Sequence, residues 1–123
     1  MLSKIRLELA RTKEFLEGSR DIGYEFTAPL KSDGKIDVEA FHKLKSRCRV
    51  RRFRKDEDED DIGHLIRKPG GSWAFHYDIH SDAEDDESGY RFGDHVFKVG
   101  EYVSIKEDDE LMPYQVKHVE DLK

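Results

Sequence analysis

Apolar and polar residues alternate along much of the chain with the period of two that is typical of β-strands. In the first such segment, Ile5, Leu7 and Leu9 alternate with charged residues. A helical spacing of leucines from Leu2 to Leu16 competes with this strand. Between turn signals, runs of aromatic and β-branched residues predict seven further strands. These strands span residues 24–30, 48–53, 63–68, 72–80, 90–96, 100–105 and 113–119.

One segment has the pattern of a helix instead. Val38, Phe41 and Leu44 recur at a helical spacing. Asp37 precedes them as a helix N-cap, because its carboxylate can accept a hydrogen bond from an amide of the first turn. We therefore predict one short helix near residues 37–46. The predicted strands and this helix together indicate a mainly β (α+β) fold. We expect a small β-barrel or a strongly bent antiparallel sheet, plugged or flanked by the helix.

The composition indicates one folded domain over residues 1–123. Charged residues make up 41% of the chain, but seven Phe, five Tyr and one Trp supply the apolar area that offsets chain entropy. No apolar run approaches the ~20 residues of a transmembrane helix, and the N-terminus lacks the apolar core of a signal peptide. The single cysteine, Cys48, is expected to be buried and favours a reducing compartment. We therefore expect a cytoplasmic protein.

Three acidic runs interrupt the second half of the sequence, at residues 56–61, 82–87 and 107–110. Like charges at this density repel one another and hold water, so each run is predicted to be an exposed loop. A calcium-binding loop does not fit. When the EF-hand pattern starts at Asp58, Pro69 occupies the position that requires a bidentate glutamate.

Charge is unevenly distributed along the chain, whose net charge is −6. Residues 43–55 contain eight cations and no acid. Arg47, Arg49 and Arg51 occupy alternate positions of a predicted strand and would present a basic ridge to phosphate or carboxylate groups. The net negative charge and the scarcity of aromatic residues among the cations argue against nucleic acid as the partner. The competing interpretation is that the acidic run from Asp56 neutralises the ridge within the fold.

A second candidate site lies on the strand predicted over residues 72–80, between the first and second acidic runs. His76, Asp78 and His80 occupy alternate positions, so they project together from the face opposite the aromatic residues. Imidazole and carboxylate groups ligate Zn²⁺ or Fe²⁺, and His64 or His95 is a candidate fourth ligand. The alternative function is therefore a divalent-metal-binding protein or a metal-dependent enzyme. The competing interpretation is a solvent-facing polar strand without metal.

The register of the preceding hairpin decides whether His64 joins this site. Pairing of Leu65 with Phe75 leaves a three-residue loop and places His64 opposite His76. The alternative register, with a two-residue loop, turns His64 to the other face. A two-residue loop requires a positive φ at its first position, which Pro69 cannot adopt. We therefore favour the three-residue loop.

Two resemblances add to this pattern. The hairpin formed by residues 97–105 and 112–120 resembles the strand pairs of SH3-like small barrels, which usually bind peptides or polymers. Four segments are similar to a family of small uncharacterised bacterial proteins. These segments are residues 10–15, 48–53, 71–78 and 97–105. The second resemblance implies a bacterial cytoplasmic protein and no particular activity.

Several catalytic motifs are absent from the sequence. It contains no Gly-rich nucleotide loop, no G-x-S-x-G elbow, no H-E-x-x-H and no C-x-x-C pair. The leading expectation is a small soluble cytoplasmic binding module, with a basic ridge for an anionic or protein partner and no cofactor. Zn or Fe(II) belongs to the alternative function. The sequence leaves enzymatic activity and the oligomeric state open.

Overall fold

Over residues 2–54, 60–78, 87–107 and 110–122, which the computed structural model describes, eight antiparallel strands close into a barrel. Each strand pairs with its neighbours in sequence, and the last returns to pair with the first. This confirms the mainly β fold and the barrel prediction. The strands are β1 (Leu2–Leu9), β2 (Ser19–Pro29), β3 (Arg49–Phe53), β4 (Asp61–Arg67), β5 (Trp73–Tyr77), β6 (Glu87–Tyr90), β7 (Tyr102–Glu107) and β8 (Glu110–Asp121).

The predicted helix is present between β2 and β3 as α1 (Val38–Leu44), and a short 3₁₀ turn (Lys45–Arg47) follows it. Asp37 caps α1 as expected, because its carboxylate accepts a hydrogen bond from the Ala40 amide at 3.1 Å. Phe41 is 2% exposed and meets the Trp73 ring edge-on, with ring centroids 4.8 Å apart. In the described part of the chain, no helix has the length and apolar character needed to cross a bilayer.

The two ends of the barrel differ, and we name them by their residues. The helix end is where β2 ends, β3 begins and α1 packs against Trp73. The charged end is the opposite one, where β4 begins at Asp61, β6 begins at Glu87 and β7 ends at Glu107. This up-and-down order brings strand termini that are far apart in sequence to the same end of the barrel.

The predicted alternation on β5 is confirmed as far as the structure describes it. Trp73, Phe75 and Tyr77 are buried, His76 is half-buried and Asp78 is exposed. Ile79 and His80 lie outside the described residues. This strand therefore directs its rings into the barrel and its ionisable groups outward.

The favoured hairpin register is also confirmed. Leu65 pairs with Phe75, and His64 lies opposite His76. The Lys68 amide donates to the Ser72 carbonyl at 2.8 Å, which closes a three-residue loop. The conformational limit that Pro69 imposes thus accounts for the placement of His64 on the outer face.

The sixth strand is shorter and earlier than predicted. The sequence predicts a strand over residues 90–96, but β6 ends at Tyr90 and the chain turns through Arg91, which has a φ of 53°. The turn folds Phe92 into the core, against Gly89, where a Cβ atom would lie 2.4 Å from the Phe92 ring. Tertiary packing of an aromatic ring therefore overrides the local strand pattern.

The prediction of exposed acidic loops is wrong for two residues. Glu87 ends the run 82–87 and Glu107 begins the run 107–110, yet both are less than 10% exposed. They begin β6 and end β7, and their carboxylates find tyrosine and arginine partners inside the barrel. Most of the other residues of the acidic runs lie outside the described residues; they are residues 56–59, 82–86 and 108–109.

Candidate functional site

The predicted basic ridge is only partly present. Arg49 and Arg51 alternate on the outer face of β3, but Arg47 belongs to the 3₁₀ turn that precedes the strand. The prediction that all three share one strand face is therefore wrong for Arg47. The physical reason is that the chain continues in a helical turn after α1 and becomes extended only at Arg49.

Arg51 is matched by acids within the fold. Its guanidinium donates to Glu25 on β2 and, at 2.8 Å, to Asp60 of the first acidic run. Burial of Glu25 opposes ionisation, but the hydrogen bond and charge of Arg51 outweigh it and lower the pKa of Glu25. Asp60 belongs to the first acidic run, so it neutralises part of the basic ridge within the fold, as the competing interpretation predicted.

Arg49 forms a closed triangle with His64 and Asp78. Its Nη1 lies 3.0 Å from His64 Nε2, and its Nη2 donates to Asp78 Oδ2 at 3.1 Å. His64 Nδ1 lies 3.1 Å from Asp78 Oδ1. Because a guanidinium can only donate, His64 Nε2 accepts and Nδ1 carries the proton toward Asp78. The charge of Arg49 is therefore matched on the outer face.

The predicted metal ligands share the outer face only in part. His76 and Asp78 project outward as expected, whereas His80 lies outside the described residues. Both oxygens of Asp78 are engaged, one by His64 and one by Arg49, and a guanidinium at 3.1 Å opposes a bound cation. Within residues 2–54, 60–78, 87–107 and 110–122, no group of three His, Cys, Asp or Glu side chains has the geometry to hold a metal ion.

Cys48 is a buried core thiol, as predicted. Its Sγ lies 3.4 Å from the Leu44 carbonyl oxygen, which accepts from it. Burial raises the pKa of this thiol to about 11, against the opposing charge of Arg47. Cys48 is therefore protonated near neutral pH, which excludes it as a ready nucleophile.

A groove of about 520 Å³ lies between α1 and the outer face of the β4–β5 hairpin, and the sequence did not predict it. We call it the histidine groove, because it contains three of the six histidines of the chain. Its lining residues are Phe41, His42, Lys45, Ser46, His64, Leu65, Ile66, Arg67 and His76.

The lining of the histidine groove combines cations with an apolar floor. Lys45 and Arg67 are exposed, while Phe41 and Leu65 are buried beneath them. The Arg67 guanidinium lies over the Trp73 ring, 5.4 Å from its centroid, which restricts its position. Among the residues that the structure describes, none in this lining carries a carboxylate. An anion with an aromatic or aliphatic portion therefore fits its chemistry.

Part of this groove was within reach of sequence analysis. The turn chemistry around Pro69 already placed His64 beside His76, and the structure agrees. His42 is different, because it joins them only when α1 packs against the barrel. Nothing in the local sequence indicates that packing.

A second group of ionisable side chains fills the charged end of the barrel. We call it the interior charged cluster. Its members are Tyr24, Arg52, Arg54, Tyr77, Glu87, Glu107 and Tyr114. Each member looks unremarkable in its own segment of the sequence, and barrel closure alone brings them together, so local patterns do not predict this cluster.

Tyrosine hydroxyls surround the two buried carboxylates. The Tyr24 hydroxyl lies 2.9 Å from Glu87 Oε1 and 2.6 Å from Glu107 Oε2. Tyr77 approaches the same Glu87 oxygen at 2.5 Å, and Tyr114 contacts the same Glu107 oxygen. Tyr24 therefore lies between the two carboxylates and connects them.

The two arginines contact the two buried carboxylates at different distances. Arg54 donates to Glu107 Oε1 at 2.7 Å, and Arg52 Nη2 lies 3.7 Å from the same oxygen. Arg52 Nη1 lies 3.2 Å from Glu87 Oε2, and Arg54 acts on Glu87 through its charge. Burial raises the pKa of Glu87 to about 7, against the hydrogen bond from Tyr77, and the charge of Glu107 adds to the effect of burial.

Comparisons of the chain with protein-family models, curated proteins and solved structures find no match. The resemblance to a family of uncharacterised bacterial proteins therefore stays a prediction. The geometry of the histidine groove is the basis for the function proposed below.

Proposed function

We propose that the chain is a small cytoplasmic binding module that takes an anionic ligand with an apolar portion into the histidine groove. The observation that carries this proposal is that the described lining residues include Lys45, Arg67 and three histidines but no carboxylate. Within the described part of the chain, neither Lys45 nor Arg67 forms an ion pair with an acid. A ligand anion would supply the counter-charge.

The proposal moves the binding surface away from the predicted ridge. Arg49 and Arg51 are engaged by Asp78, Glu25 and Asp60, so an incoming anion would have to displace these acids. Lys45 and Arg67 impose no such cost. Because both cations are exposed, their attraction for an anion is screened by salt, and affinity should fall as ionic strength rises.

The test compares two lysine variants that lose the same charge. Lys45→Gln removes a cation from the groove, and Lys117→Gln removes one from the exposed end of β8, outside the groove. We expect Lys45→Gln to weaken binding of phenyl phosphate about fivefold, as for an exposed charge contact of ~1 kcal/mol. Lys117→Gln should leave it unchanged. Isothermal titration calorimetry at low salt measures both.

Two results would contradict the proposal. One is equal loss of affinity in the two lysine variants, which would indicate a general charge effect. The other is binding of benzylamine as tight as that of phenyl phosphate, since benzylamine carries the same ring with a positive charge. Either result would mean that the groove does not select anions.

A metal-dependent function is the second candidate, on one specific observation. His64 and His76 are direct cross-strand partners on the outer face, and both line the groove. Zn²⁺ or Fe²⁺ on these imidazoles would have to displace Arg49 from His64 Nε2. Elemental analysis of untagged protein tests this candidate. Stoichiometric zinc or iron that is lost in His76→Ala would support it, and metal-free protein would exclude it.

A further inference from the structure

The hydrogen bonds of the interior charged cluster require one proton more than its tyrosines supply. Tyr77 and Tyr114 each donate their single proton to one carboxylate. Tyr24 contacts both Glu87 and Glu107 but can donate to only one of them. At the other contact two oxygen lone pairs would face each other unless the carboxyl carries a proton. Burial raises the pKa of all three tyrosines, which remain protonated.

The contacts indicate where the additional proton resides. Glu107 accepts from the Arg54 guanidinium at 2.7 Å, whereas the Arg52 guanidinium lies 3.2 Å from Glu87, so the shorter charge-assisted bond favours the carboxylate at Glu107. Tyr24 lies 2.6 Å from Glu107. The longer Tyr24 contact, 2.9 Å, is to Glu87. A protonated Glu87 can donate to the Tyr24 oxygen, whose own proton points to Glu107. The result is a directed chain from Glu87 through Tyr24 to Glu107.

Glu87 also holds the shortest strand of the barrel in place. The four-residue β6 is linked to β5 and to β7 by three residue pairs on each side. The Glu87 side chain adds contacts to Tyr24 on β2, Arg52 on β3 and Tyr77 on β5. An ionised carboxylate at this buried position is costly, because the Arg52 guanidinium lies 3.2 Å away and Arg54 bonds to Glu107 instead. The state of Glu87 therefore bears on the attachment of β6.

We propose that the interior charged cluster is a binding site for one proton, which is shared along Glu87, Tyr24 and Glu107. This proton stabilises the attachment of β6 to the rest of the barrel. When the proton leaves, the charged end loosens at β6 while β1 and β2 stay paired. The titratable and charged groups around Glu87 at this end come from six other strands or their ends. They are Tyr24 (β2), Arg52 and Arg54 (β3 and its end), Asp61 (β4), Tyr77 (β5), Glu107 (β7) and Tyr114 (β8).

The sign of the pH dependence is opposite to that of an ordinary ion-paired glutamate. The pKa of Glu87 is about 7 in the fold and 4.5 as the ordinary value, so the folded state binds the proton more tightly than the unfolded chain. The stabilisation is complete below the ordinary value and is lost as pH rises toward the folded value. The charged end should therefore be tight near about pH 5 and looser near about pH 8.

Hydrogen exchange on the wild-type protein tests the proposal. Protection factors, which are corrected for the intrinsic pH dependence of exchange, should fall at least about tenfold at Ser88 and Gly89 between about pH 5 and pH 8. Protection on β1 and β2 should stay constant. Carbon-13 NMR of the glutamate side chains should find one carboxyl, Glu87, titrating near neutral pH.

A matched pair of glutamate variants separates this site from a general charge effect. Glu87→Gln keeps the shape but cannot ionise, so protection of β6 should become independent of pH and exceed that of the wild type near about pH 8. Glu25→Gln removes a carboxylate from the outer face and should leave the pH dependence of β6 intact.

Two outcomes overturn the proposal without relying on a variant. One is a Glu87 carboxyl that titrates like an exposed glutamate. The other is wild-type protection at β6 that does not change with pH. If Glu87→Gln fails to fold, these two measurements on the wild-type chain still decide. Neither depends on the histidine groove, so failure here leaves the proposed anion binding untouched.

Discussion

Cations occupy two contrasting settings in this molecule. In the interior charged cluster, Arg52 and Arg54 meet Glu87 and Glu107, and three tyrosine hydroxyls complete the hydrogen bonds. In the histidine groove, no lining residue within the described ranges supplies a carboxylate to the cations. Cations that the fold itself matches support the structure, because removing one partner would leave a buried charge uncompensated. Exposed cations that have no acidic partner among the described residues lack this structural role and are available to pair with a ligand anion.

The same contrast appears along a single strand. The side chains of β3 alternate, so Arg51 pairs with Glu25 outside the barrel while Arg52 meets Glu87 inside it. The pKa of Glu25 is lowered by Arg51, against the effect of burial, whereas burial raises that of Glu87 to about 7. Solvent access thus gives two arginine-paired glutamates opposite protonation behaviour.

Removing one partner of a buried ion pair inside the barrel should have the largest effect on stability. Glu107→Ala leaves Arg54 without its partner at 2.7 Å, in a side chain that is about one-fifth exposed. We expect a loss of about 3–5 kcal/mol in the free energy of unfolding, measured with urea. Glu110→Ala, at an exposed position of the same end, is the control and should cost much less. A loss below about 1 kcal/mol for Glu107→Ala would show that this pair is not buried.

Removing one tyrosine hydroxyl should have an intermediate effect. Tyr114→Phe deletes the donor to Glu107 and keeps the ring, so we expect a loss of about 1–3 kcal/mol in the free energy of unfolding. Tyr102→Phe changes a ring that is 60% exposed and should be close to neutral. Equal unfolding midpoints for the two variants would contradict the role assigned to the hydroxyls of the cluster.

The outer glutamate should show a smaller effect with the ordinary sign. Because the folded-state pKa of Glu25 is depressed, its contribution is present above the ordinary pKa and is lost as pH falls through the folded value. Glu25→Gln should therefore lower stability near neutral pH by less than about 1 kcal/mol, since Arg51 is substantially exposed. The difference between variant and wild type should disappear in acid. Thermal unfolding across the acid range measures it, and a difference that grows in acid would reverse the assigned sign.

Variants of the histidine groove should change stability least of all. Lys45→Gln and Arg67→Gln alter exposed side chains that have no acidic partner in the described part of the chain. We expect each to shift the free energy of unfolding by no more than about 0.5 kcal/mol. Chemical denaturation provides the check. A large loss would mean that these cations support the fold, and the contrast between the two sites would fail.

Local patterns were sufficient to predict most of the architecture. Alternation on β5 indicated which face carries the rings, and the restricted φ of Pro69 fixed the register of the β4–β5 hairpin. The cap of Asp37 located the start of α1. Each of these signals depends on residues that are close in sequence.

The two sites could not be predicted in this way. Glu87 belongs to a run that repels itself in solution, and its burial depends on Tyr24, which is 63 positions away in sequence. His42 reaches the groove only through the packing of α1 against the barrel. Such contacts arise from barrel closure and helix packing, which short-range patterns do not encode.

The most direct test of the account follows the histidine side chains during a titration with phenyl phosphate at low salt. His42, His64 and His76 line the groove, and the exposed His118 on β8 is an internal reference. The account predicts saturable changes in the imidazole NMR signals of the three groove histidines, with His118 unchanged. Equal changes at all four histidines, or no change in the groove, would contradict it.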